Sequence, residues 1–148
     1  MIHHVWSVLC QSASIDNQSN SVSLQNTIEI VTVFGGPSSK RPGLISAELV
    51  SLWIREEDDT PISGQARVYY IDPDEKKADP VLMDIPSLPS PFHRTRLTLT
   101  ALPVFLAGLY QFHVEFQLQG EEDWQTVAMI PILVRGQPLP ERLQQLES

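Results

Sequence analysis

The chain has 148 residues and a formal charge of −8, from 18 acidic against 10 basic side chains, and 42% of its residues are hydrophobic. That composition suits one globular domain and argues against a disordered chain, and no apolar run approaches the roughly 20 residues of a membrane helix. The acidic balance also argues against nucleic acid and anionic membrane as partners: Lys40-Arg41 and Lys76-Lys77 are short pairs and the other bases are dispersed. A charged partner is then a basic protein or a cation.

In chain order, Met1-Ile2-His3-His4 lacks a cationic leader segment, so the expectation is a chain without a signal peptide. Cys10 is the sole cysteine, which forbids an intrachain disulfide and fits a reducing, cytoplasmic setting. Eight strands are predicted. The first covers residues 2–13. The second covers 24–34, with Leu24, Ile28 and Ile30 on one face. In the third, 45–55, Val50, Leu52 and Ile54 alternate with Ser51, Trp53 and Arg55. The fourth, 65–71, places Ala66, Val68 and Tyr70 together, and the fifth is a short run at 81–85. In the sixth, 94–101, Leu97 and Leu99 oppose Arg96, Thr98 and Thr100.

The seventh strand, 110–118, is the clearest. Tyr110, Phe112, Val114, Phe116 and Leu118 alternate strictly with Gln111, His113, Glu115 and Gln117, the period of a strand with one buried face. The eighth covers 124–134 and contains Pro131, which cannot donate to a ladder, so an edge or a bulge is expected there. Turn formers separate these runs: 16–21, Gly35-Gly36-Pro37, Asp72-Pro73-Asp74, the prolines at 86, 89 and 91, and Gly120 to close the last hairpin. Residues 141–147, with Leu143 and Leu146 on one side, offer a short helix. The fold expected is all-β: a single antiparallel two-sheet sandwich of about eight strands over residues 1–136, immunoglobulin-like or C2-like, with a tail at 137–148.

Ala107-Gly108-Leu109-Tyr110-Gln111-Phe112-His113-Val114 resembles the penultimate strand of immunoglobulin-like sandwiches, where a tyrosine corner is found. The resemblance makes Tyr110 the corner tyrosine and puts Phe112 where that family has cysteine. His4-Val5-Trp6-Ser7-Val8-Leu9-Cys10 and Val22-Ser23-Leu24-Gln25-Asn26 at the start, with Gly108-Leu109-Tyr110-Gln111-Phe112 and Ile130-Pro131-Ile132-Leu133-Val134 at the end, resemble an uncharacterised family of bacterial β-sandwich proteins. That resemblance implies a bacterial, cytoplasmic protein and transfers no activity and no site residue.

Few residues point to chemistry. A nucleophilic Cys10 would need a base and a polarised setting, against the plainer reading of a buried thiol. His3 and His4, adjacent on a strand, face opposite ways and cannot share a metal, and His93 and His113 fall in different segments. If consecutive loops alternate between the two ends, the acids at 56–59, those at 121–123 and Asp16 share one end. Glu57, Asp59 and Asp123 are then the candidate ligands of a calcium ion, or that end steers a basic protein, or the loops are simply solvated. Trp53, Tyr69 and Ile71 are apolar on nominally polar faces and form a candidate interaction patch, unless those strands are covered on both sides. The expected function is a non-enzymatic protein-interaction module. Alternatives are a calcium-binding sandwich, an enzyme using Cys10, and a carrier with a cavity between the sheets. A homodimer through an edge strand is also foreseen.

Overall fold

The computed structural model describes residues 2–16, 18–19, 21–56, 63–86 and 91–145. Nine strands and one short helix follow in order: β1 (Ile2–Ile15), β2 (Val22–Thr27), β3 (Ile30–Phe34), β4 (Gly43–Arg55), β5 (Gly64–Ile71), β6 (Val81–Ile85), β7 (Phe92–Val104), β8 (Gly108–Leu118), β9 (Gln125–Gln137) and α1 (Glu141–Gln144). They form two stacked sheets. Sheet A has the order β2-β1-β4-β7, and sheet B the order β3-β9-β8-β5-β6.

The ninth strand comes from splitting the predicted second one. After Thr27 the chain leaves sheet A, and it enters sheet B at Ile30. The two residues between are fastened to both sheets: the Ile28 amide donates to Leu9 O at 2.9 Å, and Glu29 O accepts from the Leu133 amide at 2.9 Å. β3 then runs parallel to β9, whereas every other strand pair is antiparallel, so sheet B is mixed. The core-facing residues shift from even positions, Leu24 and Ile28, to odd ones, Val31 and Val33, so Ile30 is exposed and, against expectation, does not share the face of Leu24 and Ile28.

Pro131 lies where an edge is needed. β3 pairs with β9 only from Leu133 to Gln137, so Pro131 faces open solvent on the side where its missing N–H would point. The tyrosine corner forms as the resemblance implies. The buried Tyr110 hydroxyl donates to Leu106 O at 2.8 Å and accepts from the Leu106 amide at 3.3 Å. Gly108 precedes it at φ 135°, a conformation L side chains avoid, with the Pro73 ring where a Cβ would stand.

The core fills the space between the sheets in two clusters. The larger one joins Leu9, Ile45, Leu49, Val68, Leu99, Tyr110, Phe112, Val114 and Ile132; the smaller one joins Trp53, Ala66, Ile85 and Phe116. Between them a polar row crosses the inner face of sheet A. Ser7, Ser51 and Thr95 stand opposite one another on β1, β4 and β7. Ser7 and Ser51 share a 2.6 Å hydrogen bond, His4 Nε2 lies 2.7 Å from Ser7 Oγ, and Trp53 Nε1 donates to Thr95 Oγ1 at 3.0 Å. Buried hydroxyls and an indole are tolerated here because each finds a partner.

This layer corrects the expected facing of β4. Ile45, Ala47, Leu49, Ser51 and Trp53 point inward, and Val50, Leu52 and Ile54 point outward. Val50 is nonetheless fully buried, flanked on the outer face by its cross-strand partners Val8 and Arg96. With both faces apolar, alternation within 50–55 carries no information on which is the inner one.

Candidate functional site

The strand directions place the loops at two ends. Ile2, Glu56, Ser63, Pro86, Pro91 and the connection at 119–124 lie at the lower end; Asp16, Ser21 and the connections at 35–42, 72–80 and 105–107 lie at the upper end. The extra reversal between β2 and β3 therefore sends Asp16 to the opposite end from Glu56 and Asp123, against the expectation that the three share one. Glu57 and Asp59 lie outside the described residues. Asp123 is exposed in the β8–β9 connection beside Glu121 and Glu122, and Glu56 lies 3.5 Å from His3 Nε2. Asp16 caps its own turn, accepting from the amides of Gln18 at 2.8 Å and Ser19 at 3.2 Å. Among the described residues no three of His, Cys, Asp and Glu are grouped to hold a metal.

Trp53 is 1% exposed and sits between the sheets, so it is no part of a surface patch, and it belongs to the sheet opposite Tyr69 and Ile71. Cys10 is fully buried on the outer face of β1, its Sγ 3.7 Å from Glu48 O. Burial first, and the nearby Glu48 carboxylate second, push its thiol above the ordinary range. That keeps it protonated and removes the thiolate that nucleophilic chemistry requires. Under native conditions a thiol-specific reagent such as dithionitrobenzoate is expected to label Cys10 at least about a hundredfold more slowly than in denaturant. Equal rates would show an accessible thiol.

The densest arrangement of functional groups is on the outer face of sheet B. Alternation puts Arg67, Tyr69 and Ile71 of β5 on that face, and the pairing sets Arg67 opposite Glu115 and Tyr69 opposite His113 on β8. Glu115 is 6% exposed. Its Oε2 accepts from Arg67 Nε at 3.0 Å and Nη2 at 2.8 Å, and its Oε1 accepts from the Tyr69 hydroxyl at 2.7 Å. Burial alone would raise the Glu115 carboxyl. The bonds from Tyr69 and Arg67, with the charges of Arg67 and Lys77, outweigh it and hold the group below its ordinary value. The same burial and the bond to Glu115 push the Tyr69 phenol up.

Rings and cations lock the cluster. The Arg67 guanidinium lies 4.2 Å from the centre of the Trp124 ring, and Lys77 Nζ lies 4.0 Å from that of Tyr69. His113 stacks on Tyr69 at 5.2 Å and 14°, and both its ring nitrogens are buried without a hydrogen-bond partner. Around this centre, Leu82, Leu109 and Met129 are 58%, 52% and 60% exposed. Towards the upper end a depression of about 400 Å³ is lined by Ile71, Asp72, Pro73, Glu75, Leu109 and Gln111.

The sequence marks Tyr69 and Ile71 but misses Arg67, Glu115 and Trp124. Glu115 reads there as an ordinary wet residue of an alternating strand, and only the β5–β8 register reveals its partner. No family model matches the chain, and no curated protein matches it either.

Proposed function

We propose that this protein is a non-enzymatic interaction module that docks a basic protein on the outer face of sheet B. The observation that carries this reading is the exposure of Leu82, Leu109 and Met129 on one rigid face, around a centre of Arg67, Tyr69 and Trp124. Single exposed leucines are ordinary. Several on one face, together with methionine, arginine and aromatic rings, match the composition of interface cores. The partner's sign follows from charge: the chain carries −8, and Asp72 and Glu75 line the depression together with Leu109. The locked centre means little side-chain freedom is lost on docking.

The test places a photo-crosslinking residue at Gln111, exposed in the lining of the depression. A discrete protein adduct is expected in cells. It should fall at least about tenfold when Leu109 and Met129 are both changed to glutamate, with the melting midpoint unchanged. An adduct that survives the double substitution, or no adduct at all, sinks the proposal.

A further inference from the structure

We propose that the free edge of β7 pairs antiparallel with the β7 of a second copy of this chain, about a two-fold axis at Thr98. Four strands end the two sheets. β2 has 6 residues, β3 and β6 have 5 each, and β7 has 13. β7 pairs with β4 on one side and, among the described residues, with no strand on the other. A long uncovered edge offers a row of peptide groups for another strand.

The sequence of β7 selects the occupant. Its middle, Leu97-Thr98-Leu99-Thr100, consists of strand formers, with the leucines facing the other sheet and the threonines exposed. A two-fold axis at Thr98 sets the two threonines face to face, Leu97 opposite the partner's Leu99, and Arg96 opposite the partner's Thr100. Over residues 96–100 apolar therefore meets apolar on the inner face and polar meets polar on the outer one, and no arginine meets an arginine. β7 holds Arg94 and Arg96 and no acidic residue, in a chain of net charge −8. Arg96 leans away from the free edge, its Nη1 donating to Ala13 O at 3.2 Å and its Nε 3.8 Å from Glu48 Oε1 on β4, so its charge is partnered within its own copy and does not oppose the approach of the second.

Antiparallel pairing also points the two lower ends in opposite directions. The acidic connections with Glu56 and Glu121, Glu122 and Asp123 are then as far apart as the assembly allows, which limits repulsion between two anionic bodies. The short edge β6, by contrast, carries Asp84, which two-fold pairing would bring towards its own copy.

Sedimentation velocity on the full chain, from about 10 μM to about 1 mM, tests this. A concentration-dependent dimer is expected. Thr98→Lys, at an exposed position, should raise its dissociation constant at least about tenfold by opposing two like charges, with no fall in the melting midpoint of the dilute protein. Thr98→Glu should do the same. An equimolar mixture of the two variants should recover a dimer, because each lysine then faces the partner's glutamate. A chain that stays monomeric over the whole range overturns the proposal. So does a dimer indifferent to Thr98→Lys, or a mixture that associates no better than either variant alone.

Discussion

Replacing Trp53 with alanine should cost roughly 3–5 kcal/mol of unfolding free energy, the range for deleting a large buried aromatic side chain. Trp53 is 1% exposed and anchors the smaller core cluster. Its ring meets Phe116 at 5.3 Å between centres and the edge of His4 at 5.1 Å. Collapse into the vacated space is resisted, because the neighbouring Ser7 and Ser51 stay bonded to each other, while Thr95 loses the indole N–H that it accepted. A domain of this kind has about 5–15 kcal/mol in total, so the substitution removes a large share of it. Urea unfolding at neutral pH measures the loss, and a value below about 1 kcal/mol would contradict the packing described. Thr95→Val isolates the polar part. It keeps the volume but leaves the indole N–H unbonded, and a loss of about 1–3 kcal/mol is expected.

Replacing Glu115 with alanine is the second large effect, about 2–4 kcal/mol. Breaking a buried ion pair costs about 3–5 kcal/mol when the surviving charge is sealed in. Here Arg67 keeps a quarter of its side chain in water, which places the loss towards the lower side. The Tyr69 hydroxyl and the guanidinium both lose their acceptor, and Arg67 is left beside Trp124. Glu115→Gln retains shape and can accept one bond, so it should cost less. The pH dependence separates charge from packing. Because the folded-state carboxyl lies below its ordinary value, its contribution is full above the unfolded value of about 4.3 and is lost as pH falls through the lower folded value. The stability gap between wild type and Glu115→Gln should therefore be constant near neutrality and close below about pH 4. Parallel curves down to pH 2–3 would show that the charge of Glu115 adds nothing.

Much of the fold was legible because sheet residues advertise their faces. The strict alternation over 110–118 became β8, the missing N–H of Pro131 implied an edge or a bulge and it stands at a local edge, and the corner role of Tyr110 came from the likeness of its segment to immunoglobulin-like strands. What escaped the reading depends on pairing. At Ile28 and Glu29 the core-facing set moves from even to odd positions while the run stays rich in apolar residues, so the chain makes two strands where a single face of Leu24, Ile28 and Ile30 implies one, and Asp16 falls at the other end. β4 is apolar on both faces, so its alternation does not reveal that the face with Trp53 is the inner one. The Arg67–Glu115–Tyr69 cluster joins residues up to 48 positions apart, and no signal within either segment identifies the other.

The crossing at Ile28 and Glu29 also sets how the sandwich breathes. It binds the two sheets along one flank like the spine of a book, with a backbone hydrogen bond into each cover. On the opposite flank β6 and β7 share no ladder. A bond from the Tyr70 hydroxyl to Pro103 O, 2.7 Å long, spans the sheets there beside a cavity of about 240 Å³ lined by Val68, Leu99, Leu102 and Phe112. Opening is expected to be easier along that fore-edge, where the bond across the sheets comes from a side chain and not from the backbone, and faster amide exchange in β7 than in β1 and β9 is the result that would register it.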